Sequence, residues 1–230
     1  VACCDGLAEI ASASSEQILP FSTGVIGEQL PFDKILVALP GLYEALSADA
    51  WQSAAQGILT TDTRTKLASA SFTVESSQTS ISGFAKGSGM IRPNMATMLA
   101  YVFTDAKIER PLLDKFIVNA VKNSFNRITV DGDTSTNDCC MLVATGKGSL
   151  VITDIDSDAS KQFQFELNAV FEQLATGLIR DAEGASKFIT IEVNEGASEH
   201  ECLAVAYAVA ESPLVKTAFY ASDPNWGRIL

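Results

Sequence analysis

Thr97 is the residue whose setting in this chain most suggests chemistry. It follows the turn-forming stretch Gly87-Ser-Gly-Met-Ile-Arg-Pro-Asn-Met-Ala96 and opens an apolar run to Phe103 that reads as a buried strand. Scission of Ala96-Thr97 would give Thr97 a free α-amine, and such an amine can act as the base for the hydroxyl of its own residue. A threonine at a strand start is also a common structural choice, so the pattern alone leaves that plainer meaning open.

Other chemistries fit poorly. The single histidine, His200, sits in the charged run Ser198-Glu-His-Glu-Cys202 at a predicted helix start, a solvated setting that disfavours a Ser-His-Asp or Cys-His mechanism. Gly87-Ser-Gly89 lacks the third glycine of a dinucleotide fingerprint, and Lys86 precedes the glycines where a phosphate loop needs lysine after them. Asp131-Gly-Asp133-Thr-Ser135-Thr-Asn137-Asp138 has oxygen side chains at alternate positions, like a calcium loop. Thr136 occupies the place that requires glycine, and Leu142 the place of the closing glutamate. An Asx-rich turn between two strands is the better reading, with magnesium held by fewer carboxylates left open. The five cysteines, Cys3, Cys4, Cys139, Cys140 and Cys202, form neither a disulfide framework nor a Cys-x-x-Cys zinc pattern. No metal is expected, and a reducing compartment such as the cytoplasm fits best.

These residues must be positioned by alternating helices and strands. Helices are predicted over Leu7–Glu16, Phe32–Ala48 with a kink or break near Pro40, Pro111–Phe125, Leu167–Asp181 and Glu199–Ala210. Strands are predicted over Lys66–Glu75, Thr79–Lys86, Thr97–Thr104, Arg127–Val130, Cys140–Ala144 and Phe188–Val193. Ile18–Ile26 reads as extended with a turn at Thr23-Gly24. Strands mixed with helices and hairpins, in no strict βαβ order, predict an α/β fold of the layered α+β kind.

With 230 residues, 47% hydrophobic and 19% charged, the composition is that of a globular protein able to bury a core. The formal net charge of −12 argues against a nucleic-acid backbone as partner. No apolar run approaches the length of a membrane span.

The segment Ala85–Leu99 resembles the cleavage segment of the glutamate N-acetyltransferases, also called ornithine acetyltransferases, of arginine biosynthesis. Four further segments match the same family in order: Ser22-Thr-Gly-Val-Ile-Gly-Glu-Gln-Leu-Pro31, Thr60-Thr-Asp-Thr63, Asn123–Asp138 and Ser222-Asp-Pro-Asn-Trp-Gly-Arg-Ile-Leu230. The resemblance implies a sandwich of two mixed β-sheets flanked by helices. It implies autocatalytic cleavage at Ala96-Thr97, making 1–96 part of an N-terminal chain and 97–230 part of a C-terminal chain, the two intertwined in one fold.

It further implies Thr97 as nucleophile, Thr23 and Gly24 as the oxyanion hole, and Thr60, Lys86, Thr97 and Glu183 as substrate-binding positions. By local pattern alone Thr23-Gly24 is a plain turn, and Lys86 and Glu183 are solvated surface charges. The implied reaction is ping-pong acetyl transfer from N-acetylornithine to glutamate without a cofactor, acetyl-CoA serving some members as donor. A dimer of cleaved protomers, two alpha and two beta chains, is the implied assembly. Family chains extend beyond both ends of this sequence, which is therefore expected to be an internal piece lacking part of the pocket. Two rival readings remain: a self-processing N-terminal-nucleophile amidohydrolase or aminopeptidase, and a non-enzymatic binding domain.

Overall fold

The computed structural model describes residues 1–74, 76–92, 98–135 and 137–230. The chain divides into two units, Val1–Ala54 and Ala55–Leu230.

The first unit is built on two helices, α1 (Ala2–Ala11) and α2 (Phe32–Glu44), with a 3₁₀ turn at Ser15–Gln17. Gly6 lets α1 approach α2 closely, since a Cβ there would lie 2.8 Å from Leu36 Cδ2. The predicted helix Leu7–Glu16 starts earlier and stops at Ala11, because Ser12 turns left-handed (φ 52°) and Ser14 then starts the 3₁₀ turn with a capping box to Gln17. α2 continues through Pro40 with no break and ends four residues short of the predicted Ala48. The turn expected at Thr23-Gly24 falls at Val25–Glu28, where Glu28 N–H donates to Val25 O and Gly27 takes φ +87°. A short helix, α3 (Trp51–Gly57), follows.

In the second unit β1 (Lys66–Val74) and β2 (Ser77–Lys86) form an antiparallel hairpin, in register from Lys66↔Ala85 to Val74↔Ser77. β3 (Leu99–Thr104) runs antiparallel to β2, and β5 (Cys139–Ala144) runs parallel to β3, giving the order β1-β2-β3-β5. β4 (Lys107–Ile108) and β6 (Val151–Ile152) make a separate parallel pair. The crossover from β3 to β5 carries α4 (Arg110–Lys122), with Pro111 in its first turn as predicted.

The long helix α5 (Asp158–Arg180) packs across β1 and β2, and α4 packs beside it. Its stripe of Phe163, Leu167, Val170, Phe171, Leu174 and Leu178 is fully buried at helical spacing. On the sheet, Ala68, Ile81, Ala85, Ala100, Val102 and Leu142 face this core. Phe163 meets Phe116 at 5.0 Å between ring centres, and Phe171 meets Phe125 at 5.5 Å. The mixed α/β layering with sheets flanked by helices is thus as expected, the second sheet consisting of two short parallel strands. α6 (Glu199–Glu211) and α7 (Pro213–Ala221) follow, capped by Ser198 and Ser212.

α5 begins at Asp158, well ahead of the predicted Leu167, because Ser157 caps Ser160 N–H at 3.1 Å and Phe163 already belongs to the buried stripe. Two predicted strands are not formed among the described residues. Arg127–Val130 follows a 3₁₀ turn at Phe125–Arg127 and makes one strand-like bond, Val130 N–H to Ile91 O at 2.7 Å. Phe188–Val193 forms no ladder among the described residues. Its alternation suits a half-buried strand, but a strand exists only with an edge to pair with. Of the predicted strands Lys66–Glu75 and Thr97–Thr104, Glu75 and Thr97 lie outside the described residues.

Candidate active site

The loop before β1, the end of β2 and the end of α5 meet at a buried ammonium. Lys66 Nζ donates to Asp62 Oδ1 at 2.5 Å, Asp181 Oδ2 at 2.5 Å and Gly87 O at 3.3 Å, so all three of its donors are used. The three ionised side chains are 3%, 0% and 2% exposed. Asp62 also accepts from Gly87 N–H at 2.7 Å and Thr60 N–H at 3.2 Å. Asp181 accepts from the N–H and hydroxyl of Thr63 and from Arg64 N–H. Burial pushes both carboxyls up, and Lys66 with these N–H and O–H donors outweighs it, holding both below the usual carboxylate range. This cluster fixes the Thr60–Thr63 loop against Gly87, the first residue after β2.

Lys86, the last residue of β2, is 8% exposed and donates to Thr60 Oγ1 at 3.1 Å. Burial lowers its pKa, while Asp62 and Asp138 counter the shift. Among the described residues this ammonium donates to Thr60 Oγ1 and has no carboxylate within ion-pair distance. A carboxylate is the natural complement.

Glu183 lies three residues beyond α5 and reaches the same turn. Its N–H donates to Ser88 O at 2.7 Å, and its carboxylate stands over Gly89, where a Cβ would lie 2.8–2.9 Å from the carboxyl atoms. Ser88 Oγ is hydrogen-bonded to Thr61 Oγ1 at 2.6 Å. The structure therefore brings Thr60, Lys86 and Glu183 to the turn that leads toward residue 97. Thr23 and Gly24 belong to the first unit, in an irregular segment where a Cβ on Gly24 would meet nothing within 4 Å. Ala96 and Thr97 lie outside the described residues.

The acidic segment excluded as a calcium loop grips this turn. Asp131 accepts from Met90 N–H at 2.6 Å, Ile91 N–H at 2.9 Å and, as an Asx turn, Asp133 N–H at 3.1 Å. Thr134 Oγ1 donates to Arg92 O at 3.2 Å, and Arg92 pairs with Glu211 at 2.6 Å. Met90 is held left-handed at φ 55°. Among the described residues no cluster of three potential metal ligands occurs. Residue pattern had not singled out Asp62, Lys66, Asp131, Asp138 or Asp181 individually. The signal for Asp62, Asp131 and Asp138 is their place inside the two quoted motifs.

Cys139 and Cys140 are free thiols at the start of β5, and burial raises both. His200 is exposed in the first turn of α6, as its charged surroundings suggested. A cavity of about 730 Å³ bounded by Ser124, Glu172, Thr190, Glu199 and Tyr207 is lined by none of the predicted site residues. Among the described residues no single helix is long and apolar enough to cross a membrane.

The described scaffold is mixed α/β, with a strand that ends in the buried Lys86 and a glycine turn clamped on both sides beyond it. The chain belongs to the ArgJ family, whose family model matches residues 1–230. It is 53% identical over 227 residues to the arginine biosynthesis bifunctional protein ArgJ of Pseudomonas fluorescens, covering 97% of this chain and 56% of that protein. It is 52% identical over 229 residues to the protein of the same name from Methylococcus capsulatus, again covering 56% of it. The chain thus spans little more than half the length of these relatives. The crystal structure of arginine biosynthesis bifunctional protein ArgJ from Bacillus halodurans matches with a TM-score of 0.51 at 41% identity, over 54% of this chain and 59% of that one.

Proposed function

We propose that this chain carries part of a glutamate N-acetyltransferase, moving an acetyl group from N-acetylornithine to glutamate through an ester on Thr97. The observation that carries the reading is the Lys86–Thr60 contact at the end of β2, with Glu183 on the same turn, in a chain matched end to end by the ArgJ family model.

Cleavage of Ala96-Thr97 frees the α-amine that activates Thr97. The hydroxyl attacks the acetyl carbonyl, the C–N bond breaks, and ornithine departs with the hydroxyl proton. Glutamate then attacks the ester, and the Thr97 hydroxyl is restored. Thr23 and Gly24 supply oxyanion donors, each worth on the order of 3 kcal/mol of transition-state stabilisation. Lys86 and Thr60 hold the amino-acid carboxylate, and Glu183 either contacts a substrate amine or tunes the amine of Thr97. The pairing of β2 with β3 supports a product whose two segments stay interleaved after scission.

The transfer uses no cofactor, acetyl-CoA entering as an alternative donor. The working form is a dimer of cleaved protomers in the cytoplasm. The test is whether loss of N-acetylornithine depends on added glutamate and yields N-acetylglutamate one for one. Free acetate without glutamate dependence, or activity that survives Thr97→Ala, would overturn the assignment.

A further inference from the structure

Asp138 is used by none of the contacts above, yet its position is unusual. It immediately precedes β5, and the parallel register Leu99↔Cys139, with Cys139 N–H donating to Met98 O at 2.8 Å, sets it level with Met98. Met98 is the residue bonded to Thr97. The antiparallel pair Lys86↔Leu99 continues the same row, so Lys86, Leu99 and Cys139 stand side by side across three strands. At roughly 4.8 Å per strand the backbones of Lys86 and Cys139 are about 10 Å apart. A cation and a carboxylate thus flank the end of β3 from opposite sides.

The carboxylate is also incomplete. Among the described residues the buried Asp138 Oδ2 finds no hydrogen-bond partner. Lys86 acts on Asp138 through its charge, but among the described residues no ion pair joins the two. A buried oxygen without a partner costs about 1–3 kcal/mol, so such a group asks for an occupant. An amino acid has the matching ends: its carboxylate suits Lys86 and its ammonium suits Asp138.

We propose that Asp138 is the general base for the amine that accepts the acyl group. The proposal rests on the acyl-transfer reading above. The incoming ammonium carries three protons. One passes to Asp138 Oδ2, leaving a neutral amine that attacks the ester carbonyl. As the C–N bond forms and the C–O bond to Thr97 breaks, a second proton goes to Thr97 Oγ. The third stays on the amide, and Asp138 gives its proton to solvent. An ordinary carboxylate is a weak acceptor for this task, but burial raises Asp138 to about 7, with Lys86 pulling the other way. The other groups in this field are Cys139 beside it, Tyr101 on β3, raised by burial and by Cys139, and Asp62 acting on Lys86.

The experiment compares deacylation of the acetyl-enzyme by glutamate and by hydroxylamine, a nucleophile already neutral at pH 7. Asp138→Asn should slow the glutamate reaction by about 10²-fold or more and leave the hydroxylamine reaction within about threefold, with partial rescue in Asp138→Glu. Equal slowing of both nucleophiles, or of neither, overturns the proposal. An NMR titration of the Asp138 carboxyl, assigned against Asp138→Asn, reads the same group without turnover. A midpoint near 7 that falls on adding glutamate supports the role. A midpoint near 4, or one that glutamate leaves unmoved, overturns it. Absence of any acetyl-enzyme with N-acetylornithine is a separate result, which counts against the acyl-transfer reading while the titration still decides the role of Asp138.

Discussion

Replacing Lys66 by methionine removes the cation shared by Asp62 and Asp181 and keeps the volume of the side chain. In the wild type both carboxyls lie below their ordinary range. They therefore stabilise the fold above the unfolded value of about 3.9 and lose that contribution as pH falls through their lower folded values. Without Lys66, two carboxylates with side chains 0% and 2% exposed face each other, and among the described residues the remaining ion pair is the longer one from the largely exposed Arg64 to Asp181 at 3.5 Å. Breaking a buried pair by removing one partner costs about 3–5 kcal/mol. For a unit of this size each kcal/mol lowers Tm by about 2–4 °C, so the variant should melt roughly 6–20 °C lower at pH 7. In the variant burial pushes both carboxyls above their unfolded values, so the penalty is largest at neutral pH and eases as acid neutralises them. Melting curves of both proteins by circular dichroism at pH 7 and pH 4 test this. A gap under about 1 kcal/mol at pH 7, or one that does not narrow at pH 4, would refute the account of the cluster.

Asp138→Asn should stabilise the protein at pH 8 by about 2–4 kcal/mol and leave it unchanged at pH 3, because a raised carboxyl costs stability as pH climbs from its unfolded value toward 7. Chemical denaturation at the two pH values reads the difference. Gly89→Ala puts a methyl against the flexible end of Glu183, so Tm should change by less than about 3 °C while substrate binding, followed by calorimetry, weakens on the order of tenfold. Asp131→Ala frees the N–H groups of Met90 and Ile91, and charged bonds of this kind are worth about 1.5–3 kcal/mol each. Scission at Ala96-Thr97, followed by denaturing electrophoresis, should slow at least tenfold. Ser76→Gly relieves a left-handed serine (φ 72°) in the β1–β2 turn and should raise Tm by about 2–4 °C.

Local pattern sufficed where burial follows a short period. β1 and much of β2 alternate, β5 is a short apolar run, α6 opens on Ser198, and Pro111 marks the start of α4, so these elements lie within a few residues of their predicted bounds. Pattern failed where the deciding partner is distant. Arg127–Val130 and Phe188–Val193 have strand composition, but no edge among the described strands pairs with them. The site divides the same way. Thr60, Lys86 and Glu183 came from family resemblance, and the structure draws them to one turn. The Lys66–Asp181 contact joins residues 115 apart in sequence, and no local spacing announces it. Asp138 looked like one oxygen among many in an acidic turn. Only the parallel register with β3 distinguishes it from its neighbours.

The most direct test of the whole account is a peptide mass spectrum of the protein taken seconds after mixing with N-acetylornithine. The peptide that begins at Thr97 should carry one added acetyl group, lost again when glutamate is supplied. Acetylation elsewhere, or a Thr97 peptide of unchanged mass while N-acetylornithine is consumed, would contradict it.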